Sequence, residues 1–218
     1  MEIQAQEAQV DLTYHPEKVQ ALADLIDKAY AENGYAHDTF EALLTLWEAT
    51  LYRFDAGKEE VYMEQVGRLS PAVIDIAVQG HSMLLQHFFV DRCFHDILGP
   101  VYMQLASKWK QSGLGQFFTP WNIAVAMSEI TFADQDIDRP IKVWDPCVGS
   151  GVMLLAARAV ATKRHGYLAA SRVQVYGQDI DHICVLMSRI QCALSDPIYM
   201  SDLMLATWGE LQEGAEAS

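Results

Sequence analysis

A chain of 218 residues, 51% of them apolar, can bury a sizeable core as one domain or a small pair, so the sequence describes a globular protein. Its apolar stretches are too short and interrupted to span a bilayer, its opening MEIQAQEAQVDL is acidic where a signal is basic, and Cys93, Cys147, Cys184 and Cys192 form no CxxC pair; a cytoplasmic protein with reduced thiols, no membrane and no metal is expected. The net charge of −14 works against holding a polyanion unaided, since such affinity rests on Lys and Arg neutralising phosphates.

The charge is uneven: residues 1 to 99 carry 6 basic and 17 acidic side chains, residues 100 to 175 carry 8 and 5, and residues 176 to 218 carry 1 and 7. The basic middle contains Lys108, Lys110, Lys142, Arg158, Lys163, Arg164 and Arg172, which either face a phosphate backbone or are scattered surface charges.

From Pro16 to about Lys110 the apolar residues recur at three and four: Val19, Leu22, Leu25 and Ile26, then Phe40, Leu43, Leu44, Trp47, Leu51 and Phe54. That spacing predicts helices. Asp38 or Thr39 would cap the second, Ser70 before Pro71 fits an N-cap and first-turn pair, Met83 to Phe94 reads as another helix, and a last one spans about Pro100 to Lys110. An all-helical N-terminal domain over residues 1–112 is expected. His81, His87, His95 and Cys93 lie within it without three ligands on one helix face, so they read as core or surface residues.

The period changes after Pro140. Ile141 to Trp144 and Val173 to Tyr176 are short β-branched and aromatic runs, followed by apolar helices at Val152 to Arg164 and His182 to Leu194, with a third strand at Ile198 to Met200 and a further helix at Leu203 to Leu211. This is the βαβ pattern of an α/β fold over residues 113–218.

Four motifs sit on these elements. In V-W-D-P-C-V-G-S-G (Val143 to Gly151) two glycines permit positive φ and close backbone approach where a helix N-terminus offers free N–H groups. In Y-G-Q-D-I-D (Tyr176 to Asp181) Asp179 follows Asp145 by 34 positions, one βαβ unit, where an acid accepts from ribose hydroxyls; Asp181 reads as the cap of the next helix. G-Q-F-F-T-P (Gly115 to Pro120) precedes a helix, with Thr119 suited to its N-cap and Pro120 to its first position. S-D-L (Ser201 to Leu203) ends the third strand.

In order and spacing these four segments resemble the cofactor motifs of adenine-N6 DNA methyltransferases, the N-6 DNA methylase family that includes modification subunits of type I restriction systems and short methylase-like proteins of phages and mobile elements. D-I-L-G-P-V-Y-M (Asp96 to Met103) also looks like the latter, and the resemblance covers Asp96 to Leu203, half of the chain. It implies a truncated Rossmann-like methyltransferase fold that binds S-adenosyl-L-methionine. By position, Thr119 and Asp145 would hold the methionine end, with Phe118 as a wall and Pro120 and Pro146 beside them. Gly149 and Gly151 would line the middle, Asp179 take the ribose, Ile180 lie against the adenine and Asp202 accept from its amino group. Cys147 stands where the family often has alanine, and no reactivity is expected of it.

The family's catalytic N-P-P-F or D-P-P-Y segment is not found after Asp202, where sixteen residues remain. D-P-I-Y (Asp196 to Tyr199) differs by one residue but falls before the third strand, at the sheet's amino end, and reads as a turn. Two readings follow: a DNA adenine-N6 methyltransferase whose catalytic segment has diverged or comes from a partner chain, or an inactive methylase-like module that acts as a protein partner. DNA and either a protein partner or a second copy are the expected associates. An acidic DNA mimic is a third reading; a dehydrogenase fails because D-P-C-V-G-S-G does not match G-x-G-x-x-G. Ser150 lacks the His and acid of a hydrolase.

Overall fold

The computed structural model describes residues 10–34, 38–108, 117–132 and 139–196. Its first half is helical. Helix α1 (Pro16–Glu32) turns Val19, Leu22, Leu25 and Ile26 into the core, and α2 (Thr39–Leu51) buries Leu43, Leu44 and Trp47. The Asp38 side chain precedes α2 but makes no capping bond. Trp47 donates from its indole N–H to the Ala77 carbonyl at 2.7 Å, and its ring reaches α4 (Pro71–Leu85) because Gly80 has no side chain: a Cβ there would stand 2.5 Å from the ring. Between them, α3 (Lys58–Arg68) buries no residue. Ser70 caps α4, its hydroxyl accepting from the Val73 amide, as expected.

The helix expected over Met83 to Phe94 is not a separate element. α4 runs through Leu85 and closes in a π turn, Gln86–Val90, in which the Asp91 amide bonds to the Gln86 carbonyl. Long-range partners end it there: the Cys93 amide returns to the His87 carbonyl, and Asp11 lies alongside Cys93 as an isolated parallel bridge. Arg92, just before Cys93, has a positive φ of 53°. Helix α5 (Leu98–Lys108) then leads towards the second half.

There, α6 (Trp121–Thr131) is followed by β1 (Ile141–Asp145), α7 (Val152–His165), the short α8 (Tyr167–Ala170), β2 (Val173–Gly177) and α9 (His182–Leu194). The strands pair in parallel, Ile141 opposite Val173 and Asp145 opposite Gly177. The described chain is thus mostly helical around a small parallel sheet; the third strand expected at Ile198 to Met200 lies outside the described residues. One core runs without a break from Val19 in α1 to Leu194 in α9, and a smaller one joins Phe132, Val160, Ala161 and Val173. Among the described residues no helix is long and apolar enough to cross a membrane.

Three cations of the basic middle serve the fold. Arg158 is buried, donating to the Cys192 carbonyl, the Ser195 hydroxyl and the Asp196 carboxylate, while Lys163 and Arg164 both pair with Glu129. Burial removes Arg158 from any surface facing phosphates; its guanidinium fastens α7 to the end of α9.

His87 and His95 are core residues, as the sequence indicates. His87 Nε2 lies 3.1 Å from the His95 carbonyl and His95 Nδ1 lies 3.1 Å from the Asp96 carbonyl, so each ring donates one N–H. The His15 amide donates to His95 Nε2, which leaves that ring neutral. Burial pushes His87 down to about 3 and His95 to about 4, against 6.5 for an ordinary imidazole. The unfolded chain therefore binds protons that the folded chain refuses, so this stability is complete above 6.5 and is lost as pH falls towards those depressed values. Denaturant midpoints measured between roughly pH 7 and pH 5 should fall with acid, each histidine adding a slope approaching about 1.4 kcal/mol per pH unit. His87→Gln keeps a donor but does not titrate; it should flatten the curve, and an unchanged slope would refute the assignment.

Candidate functional site

The carboxyl ends of β1 and β2 carry the conspicuous residues. Asp145 ends β1, and its Oδ1 accepts from the Cys147 amide at 3.0 Å, folding Pro146 and Cys147 into a tight turn that leaves Cys147 exposed. Crossed backbone bonds join this turn to the end of β2: Gln178 N to Asp145 O, and Val148 N to Gln178 O.

Both glycines of the turn have left-handed φ, 53° at Gly149 and 96° at Gly151, and each also admits a neighbour. A Cβ on Gly149 would stand 3.0 Å from the Phe118 ring, and one on Gly151 would stand 3.1 Å from the Ser188 backbone. Gly149 thus meets the segment before α6, and Gly151 lets α7 begin against α9.

Asp179 closes the group from β2. Its Oδ2 accepts from the Gly149 amide at 2.9 Å and its Oδ1 from the Asp181 amide at 3.0 Å, so the second acid reaches across to the first turn. Asp181 caps α9 through the Ile183 amide, the role its position indicates. Ile180 between them is fully exposed.

The structure brings Phe118, Asp145, Pro146, Gly149, Gly151, Asp179 and Ile180 to one end of the sheet. Asp202 lies outside the described residues. Thr119 does not cap α6 as expected. Pro120 takes the cap position instead, with an extended ψ of 140°, and its carbonyl accepts from Ile123 and Ala124. Trp121 fixes this start by donating its indole N–H to the Leu12 carbonyl at 2.7 Å. Phe118, Thr119 and Pro120 line a mainly apolar cavity of about 450 Å³ together with Tyr14, Pro100 and Trp121. A larger hollow, about 660 Å³, follows the outer edge of β2 past Arg158 and Arg189 to Asp196.

Sequence reasoning missed the polar hub beneath the turn. Asp96 is buried, and its carboxylate accepts from the Ser150 hydroxyl (2.5 Å), the Gln191 amide (2.9 Å) and the Gly99 N–H (2.9 Å). Gln191 also donates to the Ser150 carbonyl and accepts from the Ile97 and Leu98 amides through its oxygen. Burial raises the Asp96 pKa above the ordinary carboxylate value, while the three donors pull the other way. Asp96 followed three residues later by an amide it accepts from is a legible helix-start signal; its meeting with Ser150 and Gln191 has no local signature.

Comparison with known proteins follows these same residues. The sequence model of the N-6 DNA Methylase family matches residues 94–207, a span that begins just before Asp96 and contains all four motifs from Phe118 onward. Among solved structures, the type I restriction-modification system methyltransferase subunit from Streptococcus thermophilus aligns at 18% identity and a TM-score of 0.39, covering 87% of this chain and 38% of that one. The chain therefore spans well under half the length of that subunit. No curated protein matches it.

The hub makes Gly99 a sensitive position. A Cβ there would collide with the Asp96 carboxylate and stand 2.6 Å from the Ser150 hydroxyl. Gly99→Ala should cost about 1–3 kcal/mol by overpacking. Gly67→Ala, in α3 with nothing within 4 Å of the added carbon, should gain about 0.5–1 kcal/mol of helix propensity. Equal denaturation midpoints for the two variants would contradict the hub's role.

Proposed function

Because the chain belongs to the N-6 DNA methylase family, we propose that it binds S-adenosyl-L-methionine at the carboxyl ends of β1 and β2, as part of a DNA adenine-N6 methyltransferase. One observation carries the reading: the Asp179 carboxylate holds the Gly149 amide while the Phe118 ring lies against the same glycine, which unites three separate motifs at one point.

The residues present suit such a cofactor. The left-handed φ of Gly149 seats its amide on Asp179 with the Phe118 ring alongside, and the Asp179 oxygens, each accepting one backbone bond, keep lone pairs for two ribose hydroxyls. Ile180 presents an exposed apolar side chain to a flat ring. In this reading Thr119 and Asp145 orient the methionine end, Phe118 walls it, Pro120 and Pro146 stiffen the two turns, Gly151 lines the middle and Asp202 receives the adenine amino group. The cofactor supplies an activated methyl group; the chain binds, orients and shields it. β1, α7 and β2 are then the opening of a Rossmann-like methyltransferase sheet, within a cofactor-binding region over 113–218 that follows a helical one over 1–112.

Methyl transfer also needs acceptors for the target amino group, and a second observation sets D-P-I-Y aside as their source. Asp196 of D-P-I-Y pairs with buried Arg158 at the opposite end of α9 from Asp181, about 20 Å away along that helix. It is committed to the fold at the wrong end of the sheet. A partner-dependent enzyme, or a cofactor-binding module without catalysis, fits this placement, and Lys142, exposed on β1, is a basic residue near the sheet for DNA.

Calorimetry of the full chain with S-adenosyl-L-methionine should show one site. Asp179→Asn, which removes the carboxylate charge at nearly constant volume, should weaken it by about 10- to 100-fold while circular dichroism stays native. Absence of binding by the unaltered chain would end the proposal. Methyl transfer to DNA with and without neighbouring gene products then separates enzyme from module.

A further inference from the structure

Two segments separated by 82 positions meet where Asp11 bridges Cys93. Asp11, His15 and Cys93 each offer one donor atom, and the three atoms lie within 4.8 Å of one another. Asp11 Oδ2 lies 2.7 Å from His15 Nε2 and 3.9 Å from Cys93 Sγ. Tetrahedral zinc, with bonds near 2.0–2.3 Å, holds such atoms roughly 3.2–3.8 Å apart, so shifts of about an ångström or less would seat the ion.

From this geometry we infer a site for a borderline-soft divalent ion of the zinc type, ligated by Asp11 Oδ2, His15 Nε2 and Cys93 Sγ, with a fourth position open to water.

The donor set is selective. One carboxylate, one imidazole and one thiolate suit zinc or its neighbours rather than calcium or magnesium, which take oxygen alone. The supporting shell is built as well. His15 Nδ1 lies 2.8 Å from the Glu17 carboxylate, the second hydrogen bond by which metal-binding imidazoles are held in the correct tautomer. Backbone bonds fix the thiol: Cys93 N to His87 O, and Asp11 N to Arg92 O, on either side of the positive φ at Arg92. Such a φ in a non-glycine residue persists where its surroundings impose it.

One cation already stands in this acidic corner. Lys18 Nζ lies 3.1 Å from Cys93 Sγ and 2.9 Å from Asp91, and so balances this acidic corner without an ion. On binding, the Cys93 thiol and the His15 imidazolium each release a proton, the ion takes their place between the three donors, and Lys18 keeps its pair with Asp91. The bound ion pins residues 11–15 to the turn that leads directly into Asp96.

Cobalt(II) titration of the full-length chain tests this, with zinc as competitor. One equivalent should bind with a thiolate-to-cobalt charge-transfer band that zinc abolishes. Cys93→Ser should lose the band, and Cys147→Ser, which alters an exposed thiol outside this cluster, should keep it. Glu17→Gln touches no ligand atom yet should weaken cobalt binding by about 10- to 100-fold. Should Cys93→Ser fail to fold, His15→Gln supplies the same test of lost binding at a less buried position. No band, a band that survives Cys93→Ser, or unaltered affinity in Glu17→Gln would overturn the assignment.

Discussion

A carboxylate taken out of water must be compensated by hydrogen bonds or it forces the structure apart, and Asp96 is compensated by groups from three regions of the chain. Gly99 donates from the start of α5, Ser150 from the turn after β1, and Gln191 from the middle of α9. Gln191 is the joint among them, since its amide group also serves the Ser150 carbonyl and the Ile97 and Leu98 N–H groups. Such a network is unforgiving: removing one member strands several buried partners at about 1–3 kcal/mol each. It fixes Ser150 and therefore the two glycines beside it. The position of the candidate site is set from below, by residues buried beneath its turn.

A second ionic contact ties the halves together. Glu48 of α2 is almost completely buried, with Lys58 at 2.5 Å and Arg189 of α9 at 2.9 Å, and the Arg189 guanidinium lies over the Tyr52 ring at 4.8 Å. These contacts orient α9 against α2 along the length that also carries Gln191. The helical first half is consequently part of the support for the strand ends, and the continuous core from α1 to α9 says the same in apolar terms.

What the sequence discloses follows from the range of the forces involved. Periodicity and capping are local, so Ile141–Asp145, Val152–His165 and His182–Leu194 are legible within a residue, as are the caps Ser70 and Asp181. The motif order made the cluster of Phe118, Gly149 and Asp179 readable through a resemblance, whereas spacing alone spoke only for glycine geometry and a capping acid. Met83 to Phe94 misled because apolar periodicity continues through Phe88 and Phe89, while the place where the helix opens into a π turn depends on distant partners. Thr119 misled because a favourable cap residue lost to an extended Pro120 held by the Trp121 indole. The hub and the Asp11, His15 and Cys93 cluster join residues from 41 to 95 positions and 82 positions apart, and no local pattern encodes such meetings.

Among the described residues, the sheet itself adds little rigidity. Two parallel strands do not form a stable unit in water, and here Trp144 and Tyr176, paired in register, leave the outer face 59% and 42% exposed at those positions. Parallel strands are ordinarily covered on both faces. The strand ends are held instead by close approaches on the helical side: Gly177 admits Val148 so closely that a Cβ would stand 2.6 Å from its methyl, Gly151 admits Ser188, and Asp179 clamps Gly149. Two of these contacts need glycine and the third needs a carboxylate of fixed length. The residues that give the site its chemical character are therefore also the ones that assemble it, and a substitution there changes the shape of the cleft as well as its donors and acceptors.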